Sequence, residues 1–250
     1  MATADQPSPV VLITGAARRL GRTIARTLHQ SGFTIIVHYH RSCEDAEALC
    51  HELNRQRAGS AGCVAGDLLD VGHLESLIHQ AVAPWQRLDM LVNNASTFFP
   101  TPLGSVTAEQ FDNLIGTNLR APLFLSQSAA PYLRATNGNI VNIVDIHAER
   151  PLKEYPVYSV AKAGLAMLTR SLARELAPDI RVNAVAPGAI LWPEETPPDA
   201  ATQNHILART ALKRRGTPQD IAEAVRFLAT AAPYITGQII SVDGGRSLYQ

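Results

Sequence analysis

The sequence predicts an α/β protein: a doubly wound parallel sheet of about seven strands with helices on both faces, in a single domain. Two observations predict the sheet. Short β-branched runs alternate with longer helical patterns along most of the chain, and repeated strand–helix alternation favours parallel strands joined by right-handed crossovers. The first apolar run also flows into a glycine-bounded turn, Gly15 to Gly21, that opens an amphipathic segment. The single domain follows from composition, which shows no break and no internal repeat across the 250 residues.

In order, the candidate strands are Val10–Thr14, Thr34–His38, Cys63–Ala65, Met90–Asn93, Ile140–Val144, Val182–Ala186 and Ile239–Val242. The helical segments between them are Arg19–Gln30, Glu44–Arg57, Val71–Ala83, Thr107–Leu133, Val157–Leu176 and Gln219–Thr230. Residues 1–9, with Pro7 and Pro9, read as a flexible tail, leaving 10–250 as the folded domain. From Gly188 to about Arg215, Pro193, Pro197 and Pro198 interrupt any regular element. A long loop after a late strand lies beside the carboxyl ends of the strands, so this segment is expected to be a substrate lid.

Composition excludes several classes of partner. Lys+Arg and Asp+Glu are equal at 22 each, so no global field draws the chain to nucleic acid or anionic lipid. No apolar stretch approaches membrane-spanning length, and Val10 to Ile13 is too short for a signal peptide. Cys43, Cys50 and Cys63 are odd in number and lack metal-ligand spacing. They read as free thiols in a reducing compartment, so the expectation is a cytoplasmic enzyme without a metal.

The turn after the first strand reads Gly15-Ala16-Ala17-Arg18-Arg19-Leu20-Gly21. Gly15 permits the tight bend, Gly21 lets the helix lie close to the strand, and N–H groups at the helix start face a pyrophosphate. The spacing departs from G-x-G-x-x-G, so placement carries the reading. After the second strand, a dinucleotide site for NADH would carry an acid for the ribose 2′-hydroxyl. This chain has His38-Tyr39-His40-Arg41-Ser42 instead, which suits a 2′-phosphate and hence NADPH. Asp67, ending the third strand, reads either as an acceptor for the adenine amino group or as a helix N-cap.

Tyr158 and Lys162 are four apart, so they share a face if their segment is helical. A tyrosine pKa of about 10 is too high for efficient proton exchange near neutrality, and a nearby ammonium could lower it by ~2–3 units. Thirteen residues before Tyr158 stands Asp145, at the end of the fifth strand. A serine there would stabilise a carbonyl oxygen gaining charge. A carboxyl held protonated, at a cost of ~4 kcal/mol, could instead donate to an imine nitrogen while hydride reaches the adjacent carbon.

On these residues the chain resembles the short-chain dehydrogenase/reductase family over nearly its whole length. The marks are Thr14-Gly15 through Gly21, Asn93-Asn94-Ala95, Asn118, Tyr158 to Lys162, Pro187-Gly188 and Val242-Asp243-Gly244-Gly245. Within the family it resembles the pteridine reductases: Arg19 replaces the middle glycine, His38 to Ser42 match, Ser96 and Phe98 follow Asn94-Ala95, and Asp145 replaces serine. The resemblance implies a Rossmann-type fold, NADPH as cofactor, a pterin substrate and a homotetramer built through the helices around Thr107–Leu133 and Val157–Leu176. It implies catalytic roles for Asp145, Tyr158 and Lys162, with Asn118 organising the lysine through water. The cofactor would lie along Gly15, Arg18, Arg19, Leu20, Gly21, His38, Tyr39, His40, Arg41, Ser42, Asp67, Leu68, Asn94, Ala95, Ser96, Pro187 and Gly188. Arg19, Ser96, Phe98, Tyr155 and Tyr158 would meet the substrate, with Phe98 stacking a flat ring against the nicotinamide. Of Phe98 and Phe99, one is expected in the core. Two other readings stay open: a short-chain carbonyl or 3-oxoacyl reductase, and a catalytically silent NADPH-binding regulator.

Overall fold

Strand β1 (Val10–Ile13) has all four residues buried, because both faces of the sheet around it are covered. The computed structural model describes residues 8–193 and 197–249. Most of the expected tail and part of the expected lid, residues 194–196, lie outside the described residues. The sheet adds β2 (Thr34–Tyr39), β3 (Ala61–Ala65), β4 (Met90–Asn93), β5 (Asn139–Ile143), β6 (Arg181–Pro187) and β7 (Ile239–Val242). All pairings are parallel, in the order β3-β2-β1-β4-β5-β6-β7. The order reverses between β1 and β4, which opens a crevice at their carboxyl ends.

Alternation along the strands divides the core in two. Val11, Ile13, Ile35 and Val37 face helices α1 (Arg19–Gln30), α2 (Cys43–Gln56) and α8 (Pro218–Thr230), where Ile24, Leu28, Leu49, Leu53, Ile221 and Val225 are fully buried. Val10, Leu12, Ile36, Leu91 and Ile140 face α3 (Leu74–Val82) and α5 (Ala121–Ala135) through Leu74, Leu77, Ile78, Leu125 and Leu133. Each such side chain contributes about 1.5–3 kcal/mol on burial, so both faces hold the sheet firmly enough to present its loops. None of the helices among the described residues is long and apolar enough to cross a membrane.

Three expectations need correction. The segment expected as one helix, Thr107–Leu133, is α4 (Ala108–Ile115), a π-helical turn over Gly116–Arg120, and α5. Thr107 and Gln110 form a capping box that starts α4. The register slips where Pro122 lacks the N–H that would reach back four residues to Asn118. The lid, expected without regular structure, contains α7 (Ala200–Ala208), started after the prolines by Asp199, whose side chain accepts from the Thr202 N–H. Asp145 lies two residues beyond the end of β5, where it caps a 3₁₀ turn at Ile146–Ala148; α6 (Pro156–Glu175) follows.

Candidate active site

The phosphate-type loop is tied down from two sides. Thr14 Oγ1 accepts from the N–H groups of Asn94 (2.9 Å) and Ala95 (3.0 Å), and Asn94 Nδ2 donates to the carbonyls of Thr14 (2.8 Å) and Gly15 (3.2 Å). Gly15 adopts φ +61°, where a side chain would be strained and would press on Ala95. At Gly21 a Cβ would sit 2.4 Å from the Gly15 carbonyl oxygen, so the helix can approach only without one. The result is a cavity of ≈ 520 Å³ walled by the loop, by Tyr39 to Ser42, by Asn94 to Ser96, and by Asp145, Tyr158, Lys162 and Pro187. Arg18, Arg19, Leu20 and Arg41 line it as expected, and no acid from the end of β2 does. A nicotinamide dinucleotide fits this wall, which combines a glycine-shaped backbone, three arginines and the polar side chains of Tyr158 and Lys162.

His38 is not part of that wall, which corrects the expectation that it holds the cofactor. Its ring is buried behind the loop, with Nδ1 accepting from the Gly15 N–H (3.2 Å) and Nε2 donating to the Gly66 carbonyl (3.2 Å). Burial lowers its pKa from the ordinary 6.5 to about 4. Between those values the unfolded chain holds a proton that the folded one does not. Stability is therefore complete above pH 6.5 and falls by about 3 kcal/mol as pH drops toward 4. Denaturant unfolding across this range is expected to show a shallower pH dependence in His38→Asn, which keeps an acceptor and a donor but cannot titrate. Equal slopes in the two proteins would remove His38 from this role.

Leu68 also departs from expectation: its side chain is buried in the core with Leu74 and Leu77. Asp67 is not the helix N-cap read as its alternative, a place taken by Asp70; its Oδ1 accepts from the Leu69 N–H (2.9 Å) in the turn before that helix, and Oδ2 lies 3.8 Å from His40 Nε2. Gly188 borders the neighbouring cavity instead of the first.

Tyr158 and Lys162 do share a face of α6, both buried. The Tyr158 hydroxyl donates to Asp145 Oδ2 at 2.8 Å, and Asp145 Oδ1 accepts from the His147 N–H at 2.8 Å. Lys162 Nζ donates to the Ile143 carbonyl (3.0 Å) and stands 5.7 Å from the Tyr158 ring centre. One expectation is overturned: Tyr158 is held well above its usual pKa, first by burial and then by the neighbouring Asp145 charge and hydrogen bond, and not below it. In the bond between them the Tyr158 hydroxyl is the donor and the Asp145 carboxyl the acceptor. Lys162 itself is lowered to about 8 by burial, with Asp145 opposing. The site therefore keeps a protonated phenol beside a carboxyl, with a cation behind both.

Asn118 is fully buried at the π turn. Its Oδ1 accepts from Ser96 Oγ (2.6 Å), and its Nδ2 donates to the carbonyls of Thr97 and Leu114 (3.0 Å each). Here Asn118 holds Ser96 in place; no direct bond joins it to Lys162. Asn118 thus ties the slipped helical register, through the Leu114 carbonyl, to the position of Ser96.

A second cavity of ≈ 710 Å³ adjoins the first through Arg19, Ser96, Asp145, Tyr158 and Leu191. Phe98 and Tyr155 stack on one wall, with ring centres 4.6 Å apart and planes at 12°, and Phe98 meets Tyr158 edge-on at 4.8 Å. Phe99 packs instead against the cluster of Leu114, Val157 and Tyr158, so it is the core member of the pair. Arg19 reaches across the mouth and donates to the Trp192 carbonyl (2.8 Å), and the Arg215 guanidinium lies 5.8 Å from the Trp192 ring centre. Sequence reasoning missed Trp192, His147, Ile206 and Arg246 as wall residues. The scarcity of tryptophan flagged the first. For Arg246 the signal was the pair Gly244-Gly245, both in left-handed conformation (φ +63° and +77°), which turns the chain back toward the site.

Comparison with known proteins agrees with this architecture. Residues 15–247 match the family described as enoyl-(acyl carrier protein) reductase. The chain is 38% identical to pteridine reductase 1 of Leishmania tarentolae, covering 98% of this chain and 99% of that protein. It is 36% identical to the 3-oxoacyl-(acyl-carrier-protein) reductase of Staphylococcus aureus strain N315, covering 94% and 96%. The corresponding enzyme of Staphylococcus epidermidis strain ATCC 12228 is 35% identical, with 94% and 97% covered. A seven-stranded parallel sheet, a glycine-shaped loop at its switch point and full-length likeness to these reductases place the chain in the short-chain dehydrogenase/reductase family of oxidoreductases, with a resemblance within it to the pteridine reductases.

Proposed function

We propose that the protein is an NADPH-dependent pteridine reductase that converts dihydropterins, of the dihydrobiopterin or dihydromonapterin type, to tetrahydropterins. The observation that carries this reading is the 2.8 Å bond from Tyr158 to Asp145 on the wall shared by the two cavities. An acyl-chain ketone needs a neutral donor beside its oxygen, and a carboxyl at that place repels the developing negative charge. A ring nitrogen needs a proton, and a carboxyl bonded to a phenol can carry one. The cofactor, when bound, supplies hydride.

The protein's own residues do the rest. Arg18, Arg41 and Ser42 line the first cavity, and two guanidinium groups beside a hydroxyl, with no acid among Tyr39 to Ser42, support NADPH over NADH. The phenol of Tyr158, kept protonated by burial and by Asp145, is the proton source. The hydrogen passes to the substrate nitrogen either directly from Tyr158 or through Asp145, depending on the bond reduced, and solvent restores it. Lys162 places a positive charge behind the phenolate left by that transfer. The stacked pair Phe98 and Tyr155 offers a flat heterocycle an aromatic wall.

Catalysis in the cytoplasm as a homotetramer completes the proposal. Phe111, Leu123, Val160 and Met167 are large apolar side chains exposed on α4, α5 and α6, the helices that would meet in such an assembly. The second reading, a 3-oxoacyl reductase, is favoured by the likeness to the staphylococcal enzymes. Following coenzyme oxidation by the purified protein with a dihydropterin, with NADPH and then NADH, tests the proposal. Oxidation with NADPH and little with NADH is expected; turnover of acyl thioesters alone would favour the second reading.

A further inference from the structure

Beyond the aromatic wall, the substrate cavity continues into a third space of ≈ 460 Å³, sharing His147, Ile206 and Arg246 as common wall. This annex has a strong charge bias. Arg150, Arg209 and Arg246 line it with His147 and His205, and Glu149 is the one acidic residue in its wall. Among the described residues none of the three arginines forms an ion pair. Arg150 gives one donor to the Tyr249 carbonyl (2.8 Å), which leaves most of its guanidinium donors for another acceptor. Asp243, the acid nearest in sequence to Arg246, is bonded through both oxygens to the N–H groups of Gly245 and Ser247. Three arginines lining one concave space call for an anion with several acceptor oxygens.

We propose that this annex binds a negatively charged substituent on the side chain of the substrate, a carboxylate or a phosphate, while the ring lies against Phe98, Tyr155 and Asp145. The inference rests on the pterin reading for the ring and adds the chemical class of its tail. Neutral side chains would leave the annex to water. An anionic one would lie against Arg150 and Arg209, past Arg246, which stands between the annex and Asp145, so it affects binding more than the chemical step.

The test compares a dihydropterin with a neutral polyol side chain, its monophosphate ester, and dihydrofolate, whose tail carries carboxylates. Wild-type protein, Arg209→Gln and Arg150→Gln are assayed with saturating NADPH. Calorimetry with the NADP-loaded proteins, using the oxidised neutral pterin, its phosphate ester and folate, measures affinity apart from turnover. The expected result is a KM at least tenfold lower for one or both anionic compounds. Each substitution should raise that KM about tenfold at unchanged kcat and leave the neutral compound unaffected. A preference for the phosphate ester alone identifies phosphate as the source of charge, and a preference for dihydrofolate alone identifies carboxylate. Turnover of the neutral compound with no anionic preference, or substitutions that act equally on all three, overturns the annex and leaves the pterin reading standing. Neither turnover nor binding of any of the three overturns both.

Discussion

Replacing Asp145 with serine is expected to lower kcat for a dihydropterin by about 10²-fold while leaving NADPH binding within a factor of a few. The carboxyl accepts the Tyr158 hydroxyl through Oδ2 and is anchored through Oδ1 by the His147 N–H, so its position is fixed from both ends. Serine at this place can reach neither the same distance nor the same charge. It can, however, donate to a carbonyl oxygen, so turnover of a simple ketone is expected to hold or rise in the same variant. Because Asp145 contributes to the upward shift of Tyr158, the basic limb of the kcat profile should also move to lower pH in Asp145→Ser. Steady-state rates with both substrates, across pH, measure all three effects. A variant as fast as wild type on the dihydropterin would show that the carboxyl is incidental.

Lys162→Met is expected to do two opposite things. Reductase activity should fall by about 10²-fold or more, since no cation then stands behind the phenolate. Folding stability at pH 7 should rise. Burial lowers Lys162 from 10.5 to about 8, so below pH 8 the folded chain holds a charge that its surroundings disfavour. From pH 8 to 10.5 the unfolded chain holds more protons than the folded one, so this cost disappears as pH rises. It amounts to about 3 kcal/mol, and losing the bond to the Ile143 carbonyl returns about 1 kcal/mol, for a net gain near ~2 kcal/mol. Methionine fills a similar volume without the charge. Urea unfolding of both proteins at pH 7 and pH 9.5 is expected to show the gain at pH 7 and a smaller one at pH 9.5. A destabilised variant at pH 7 would mean the ammonium is better solvated than its burial implies.

Much of the fold was readable because most strands are short apolar runs and most of the longer helices carry an apolar period. Val10–Ile13, Met90–Asn93 and Ile239–Val242 are the clearest cases. The break in the helix at Asn118 was not readable, because Pro122 alone does not say whether a helix kinks, stops or slips register. His38 was misread for a related reason. Polar character at a strand end marks the residues that a ligand can meet, but only the fold shows that this ring turns behind Gly15. Spacing also brought Tyr158 and Lys162 together correctly, yet it could not show that the lysine bonds Ile143 and leaves Asp145 to set the tyrosine. Arg246 and Trp192 come from segments with no period at all, and only tertiary structure brings them to Asp145.

The claim on which the account turns is that this pocket is built to protonate a heterocycle. Its most direct test is the ratio of kcat/KM for a dihydropterin to that for a small 3-oxoacyl thioester, measured on wild-type protein with NADPH. A ratio well above 10² is expected, because the Asp145–Tyr158 pair favours a basic nitrogen over an oxygen gaining charge. A ratio below one would contradict the claim.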